Sequence, residues 1–244
     1  MTEVLLFDGY IPGDVALENS HWIAERTRER LGNEATTLTH PDAVRGNLES
    51  RLGAEGLRGL AVFGHGDSGR LYTALRMQHR EERHTAHAES SVAGAVYGSD
   101  DEPALDLDNL HLLQGLWCHA LACNVGLSLA HRAIALGASC FVAYETSLTP
   151  EYETDSMPPA LRAHLEALVT ATTLGLHAGI REETALKVRI LDAIDALETW
   201  LDGDDGTIWI EAQESFMSVA GLRGFAQQLR REMVVLINPS GGQS

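Results

Sequence analysis

The sequence predicts an α/β protein: a mostly parallel central sheet with helices on both faces, plus a helical C-terminal region. Three observations carry this. Short apolar runs at residues 4–7, 35–38, 60–63, 116–123 and 140–144 have the length of strands, and most are continuous enough to be covered on both sides. Helix-like segments closed by glycine separate them, giving β-α-β-α-β from the start. Beyond residue 158, Leu161, Leu165 and Leu168, then Leu186, Ile190, Ile194 and Leu197, recur at helical spacing.

Each element has a local cause. The first strand closes at Asp8-Gly9, and Asp14 can cap a helix running to Leu31, where Gly32 stops it. A weaker strand follows at 35–38. Pro41 and Asp42 open a second helix that ends near Leu52, before Gly53. The third strand, 60–63, delivers His65 between two glycines. Residues 70–104 break the rhythm; "RLYTALRM" and "SSVAGAVYG" can pair as a hairpin around a polar "QHREERHTAHAE". Residues 106–113 read as a short helix. "LWCHALAC" is the next strand, Asn124-Val125-Gly126 a turn, and a helix to Leu136 leads into the strand "CFVAY". After an acidic, proline-bearing loop come two helices, 161–180 and 182–201. A possible strand "TIWIEA", a helix over 214–231, a late strand over 233–237 and a frayed tail complete the chain.

Composition narrows the function. The 244 residues suit one domain. A formal net charge of −17 repels phosphate backbones, so nucleic acid is not an expected partner. No apolar run is long enough to span a membrane, and the acidic "MTEVLLFDGY" start does not read as a signal peptide. Three cysteines, all in apolar runs, fit free thiols in a reducing, cytoplasmic setting. No glycine loop of the phosphate-cradling kind is present, and no cofactor is expected.

The chemistry gathers at two strand ends. In open parallel sheets, sites form beyond the carboxyl ends of the strands. His65 follows the third strand and Cys123 the fourth. Neighbouring strands lie about 4.8 Å apart, so side chains at their ends can meet. A helix starting after Cys123 would favour its thiolate. Gly64 and Gly66 would allow a sharp turn and a close approach of another chain. The N–H groups of Gly66 and Cys123 are the candidate oxyanion donors. Cys123 as nucleophile and His65 as general acid and base would hydrolyse an amide in two steps.

These segments also resemble a known family. "VFGHGD", then "ALACNVG", then "ASCFVAYETSLTP" is similar to the caspase-like cysteine peptidases, which include bacterial CHAT-type proteases. In that family an apolar strand ends in His-Gly and a later one in Ala-Cys; His65-Gly66 and Ala122-Cys123 match, 58 residues apart. Gly126 matches a glycine that often follows the cysteine. "FVAYET" resembles the strand leading into the substrate loop, and "DLDNLHLL" a segment that precedes the cysteine strand in bacterial members. The resemblance implies a caspase-like catalytic core over residues 1–150. Residues 151–244 would be the substrate loop and a mainly helical C-terminal part of the same domain. It further implies an endopeptidase acting on a protein substrate, such as the co-encoded gasdermin-like pore formers cut by bacterial defence effectors. Leu121 stands where caspases have Gln and metacaspases have Asp, so neither specificity pocket carries over. Leu121, Glu145 and Asp67 are the candidate substrate contacts. Glu145 and the loop residues Glu151, Glu153 and Asp155 would favour an Arg or Lys side chain. Two rival readings stay open: a non-catalytic caspase-like scaffold and a flavodoxin-like small-ligand domain.

The remaining motifs are weaker. His79, His84 and His87 have a spacing that can hold zinc, but their charged flanks suit a solvated insertion, and no metal is assigned. His119 shares a strand face with Cys123 but lies about 13 Å from it, which fits a buried, hydrogen-bonded histidine. Cys118 and Cys140 are expected in the core. Gly66-Asp67-Ser68-Gly69 matches a nucleophile elbow only by letters, since no helix is expected to follow it.

Overall fold

Six strands form one sheet in the order β2-β1-β3-β6-β7-β8: β1 (Val4–Asp8), β2 (Ala35–Leu38), β3 (Gly59–Phe63), β6 (Trp117–Leu121), β7 (Cys140–Tyr144) and β8 (Met233–Ile237). A separate two-stranded ribbon, β4 (Gly66–Asp67) and β5 (Arg70–Leu71), follows β3. The computed structural model describes residues 4–10, 12, 17–67, 70–71, 103–145, 157–207 and 217–239. The first five strands of the large sheet run parallel, and β8 is antiparallel to β7.

The strands are buried on both sides, and their period of two divides the core in half. Val4, Leu6, Ala61, Phe63, Trp117, Val142 and Tyr144 face one layer, built from α1 (Glu18–Leu31), α4 (Pro159–His177), α5 (Glu183–Asp202) and α6 (Met217–Glu232). Leu5, Phe7, Leu60, Val62, Cys118, Ala120 and Phe141 face the other. That layer holds α2 (Arg45–Leu52), α3 (Leu129–Ala135) and a 3₁₀ turn at Leu110–Leu113. This is why the runs read as continuously apolar rather than alternating. The C-terminal helices therefore share a core with the sheet.

Several local expectations need correcting. Helix α2 opens at Arg45, because residues 39–44 form turns around Pro41. The predicted short helix at 106–113 is a single 3₁₀ turn, held to α2 by polar side chains. Asn109 donates to the Ala104 carbonyl at 2.8 Å and to Glu49 at 3.0 Å, and Arg45 bridges Glu49 and Asp106. The Arg45 guanidinium beside Glu49 holds that carboxyl below the usual carboxylate range. Asp14, the acidic loop with Glu151, Glu153 and Asp155, "TIWIEA" apart from Thr207, and most of the 70–104 hairpin lie outside the described residues.

Gly59 shows how tightly the amino end of the central strands is packed. A Cβ there would sit 1.9 Å from the Trp117 ring, its register partner on β6. Only glycine lets that ring lie across β3.

Candidate active site

The sheet order brings the two expected strand ends together. β3 and β6 are hydrogen-bonded neighbours, with Phe63 opposite Leu121. The Gly64 N–H extends the ladder by donating to the Leu121 carbonyl at 3.3 Å. His65 and Cys123 each stand two residues beyond the Phe63–Leu121 rung, so both leave the sheet at the same height. Each lies just past its strand; β6 ends at Leu121, two residues short of the end of the apolar run 116–123. Both are half-buried.

Gly66 makes the closest approach. A Cβ on it would meet Val125 Cγ2 at 2.6 Å, Ala122 Cβ at 3.1 Å and the Cys123 carbonyl oxygen at 3.1 Å. The backbone after His65 therefore packs directly onto the turn that carries Cys123. Close approach is the reason for glycine here. Neither Gly64 nor Gly66 has a positive φ, so the expected need for an unusual turn does not apply.

The turn expected at Asn124-Val125-Gly126 is present, and the helix expected after it starts at Leu129. Asn124 adopts the left-handed conformation (φ 59°), and a 3₁₀ turn, Val125–Leu127, precedes α3, which starts at Leu129. That helix has seven residues and begins six residues downstream of Cys123. The left-handed Asn124 has another effect: it leads Gly126 onto the end of β7. A Cβ on Gly126 would lie 3.1 Å from the Tyr144 carbonyl and 3.3 Å from Glu145 Cγ. Glu145 is exposed on this rim, and its N–H donates to the Glu232 carbonyl at 3.0 Å. Leu121 is 5% exposed and packs into the core beneath, so it offers packing rather than an open pocket wall. Asp67 lies in β4 and pairs with Arg70 across the ribbon. Ser68, His79, His84 and His87 lie outside the described residues. Among the described residues no cluster of three metal-ligating side chains occurs, and no helix is long and apolar enough to cross a membrane.

The other histidine and cysteines on these strands are core groups. His119 Nδ1 is 2.8 Å from Thr173 Oγ1 and Nε2 is 3.4 Å from the Tyr144 hydroxyl. Burial pushes its pKa down from the ordinary 6.5 to about 3, so the ring is neutral. Burial raises the Cys118 thiol far above its usual range and lifts Cys140 to about 11. Neither supplies thiolate at neutral pH.

One cluster on this rim was missed in the sequence. Asp8 ends β1, level with Phe63, and binds His21 of α1. An aspartate closing an apolar run reads as a turn signal; its partner thirteen residues later becomes visible only when α1 folds back over β1.

Fold and site together define an α/β protein with a mixed, mostly parallel six-stranded sheet. A histidine and a cysteine leave the carboxyl edge of adjacent strands. No protein-family model matches this chain, and no curated protein does.

Proposed function

We propose that this protein is a caspase-like cysteine endopeptidase that uses Cys123 and His65. The observation carrying this reading is the parallel β3–β6 pairing, whose register puts both residues two positions past the same rung. The Gly66 contact with the Cys123 turn supports it independently. Cys123 Sγ attacks the scissile carbonyl carbon as His65 takes the thiol proton. The N–H groups of Gly66 and Cys123 receive the negative oxygen. His65 then protonates the leaving amine, the C–N bond breaks, and a thioester remains. Water, deprotonated by His65, releases the acid and restores the thiol.

Glu145 supports a basic side chain before the cut, because an exposed carboxylate beside the cysteine turn pairs with guanidinium or ammonium. The substrate class is a protein, with a co-encoded gasdermin-like pore former as the specific candidate and the cytoplasm as the setting. An iodoacetamide probe with mass mapping tests the nucleophile, and a positional-scanning peptide library on wild type and Cys123→Ala tests the reaction. The expected result is selective labelling of Cys123 over Cys118 and Cys140, with cleavage after Arg or Lys that Cys123→Ala abolishes. Cleavage after Leu or Met would remove Glu145 from the reading. Absence of both selective labelling and cleavage would leave the non-catalytic scaffold as the better account.

A further inference from the structure

A cavity of about 380 Å³ opens at the carboxyl ends of β1 and β2, beneath α1. It lies one strand over on the same carboxyl edge, its lining includes neither His65 nor Cys123, and nothing in the proteolytic reading uses it. Its size is within the range of small-molecule sites. Its lining includes Asp8, Tyr10, His21, Glu25, Arg28 and His40.

The charges in it are arranged in two groups. Asp8 is 2% exposed, an expensive place for a carboxylate unless it is fully engaged. Both of its oxygens are engaged: Oδ1 accepts the Tyr10 N–H at 3.1 Å, and Oδ2 accepts from His21 Nδ1 at 2.6 Å. Because a carboxylate can only accept, Nδ1 donates to Asp8, which leaves Nε2 facing Glu25. The Tyr10 ring stacks on the imidazole, with centroids 4.5 Å apart and planes 19° from parallel, which fixes its orientation. Nε2 lies 4.0 Å from Glu25 Oε1. A donor with several N–H bonds placed there would meet the Glu25 carboxylate and, with the ring proton on Nδ1, the Nε2 lone pair.

The other group is cationic or donating. Arg28 is exposed, with no carboxylate partner among the described residues. His40 Nδ1 is shielded from solvent and has no hydrogen-bond partner among the described residues. His21, Glu25 and Arg28 share one helix face at i, i+4 and i+7. At about 1.5 Å rise per residue, Arg28 stands about 4.5 Å along the axis from Glu25 and about 10.5 Å from His21.

We propose that this cavity binds a small zwitterion whose ammonium and carboxylate groups are separated by a short aliphatic chain. The ammonium sits between His21 Nε2 and Glu25, and the carboxylate on Arg28, with His40 lining the wall. An α-amino acid such as glycine is too short to reach both groups, and a diamine or a diacid matches only one.

Isothermal titration calorimetry on the full chain, with δ-aminovalerate as the probe, tests this. Glycine, cadaverine and glutarate serve as comparators. Saturable binding of δ-aminovalerate is expected, with each comparator about ten-fold weaker or worse. Glu25→Gln and Arg28→Gln alter partly or fully exposed side chains, so both variants should fold; each should weaken δ-aminovalerate about ten-fold. Arg28→Gln should also erase the preference over cadaverine. Imidazole ¹⁵N resonances should show His21 Nε2 shifting on addition, with Nδ1 remaining protonated. No saturable binding, equal affinity for the comparators, or indifference to both substitutions would overturn the proposal. Tighter binding of glutarate would replace it with an anion site.

Discussion

Replacing Gly66 with alanine puts a methyl group where the Cys123 turn already sits. The new Cβ would lie 2.6 Å from Val125 Cγ2 and 3.1 Å from both Ala122 Cβ and the Cys123 oxygen. Carbon atoms settle at about 3.5–4.0 Å, so the two turns must part by about 1 Å at Val125. Overpacking of this kind costs about 1–3 kcal/mol of stability. A displacement of about 1 Å between reacting groups costs about a hundred-fold in rate. Gly66→Ala should therefore fold with a lowered melting temperature and lose about a hundred-fold in kcat/KM on the best library peptide. Val125 is fully buried, and Val125→Ala alone should destabilise by about 2 kcal/mol from lost burial. In the double variant the worst contact vanishes and only the two at 3.1 Å remain. Gly66→Ala/Val125→Ala should recover much of the activity, with a coupling of about 1 kcal/mol or more in the stability cycle. The rate of Cys123 alkylation offers a readout that needs no substrate. Wild-type stability and wild-type turnover in Gly66→Ala would refute the idea that close backbone contact aligns the dyad.

Three other outcomes follow from the same geometry. Gly59→Ala would drive a Cβ to 1.9 Å from the Trp117 ring, so chemical denaturation should show a loss of about 1–3 kcal/mol or failure to accumulate folded protein. His119 is neutral in the folded protein, with its pKa near 3 against an ordinary 6.5, so the unfolded chain binds a proton in that window and the folded one does not. Stability should therefore fall as pH drops below about 6.5, with a slope from this group approaching about 1.4 kcal/mol per pH unit, and a folded His119→Gln variant should show a shallower decline. A slope unchanged by the substitution would show that other groups govern acid sensitivity. Cys118 and Cys140 should resist alkylation up to the alkaline range while the fold holds, because burial keeps both as thiols; modification of either at neutral pH in folded protein would contradict their packing.

The parts of the site legible in the sequence are those encoded by local pattern. An apolar run ending in Gly64-His65-Gly66 and another ending in Ala122-Cys123 announced two strand termini with reactive side chains. The strands 35–38, 140–144 and 233–237 appear at the residues their apolar content indicated. The turn after Cys123 was legible at Asn124-Val125-Gly126, but its conformation was not. Left-handed Asn124 and the seating of Gly126 against Tyr144 shape that turn and delay the helix to Leu129. Packing outweighs a local preference worth only tenths of a kcal/mol per residue. The direction of β8 was also hidden, since apolar content marks a strand without saying which way it runs.

By itself, the sequence determined that two layers of helices would cover a largely parallel sheet, and that His65 and Cys123 would emerge at strand ends. Tertiary structure alone decided that those strands are neighbours in register, that Leu121 belongs to the core, and that Asp8 meets His21 across thirteen residues. The physical reason is range. Side-chain periodicity and turn chemistry act over a few residues, whereas strand order and side-chain pairing depend on which buried surfaces fit together once the whole chain has collapsed.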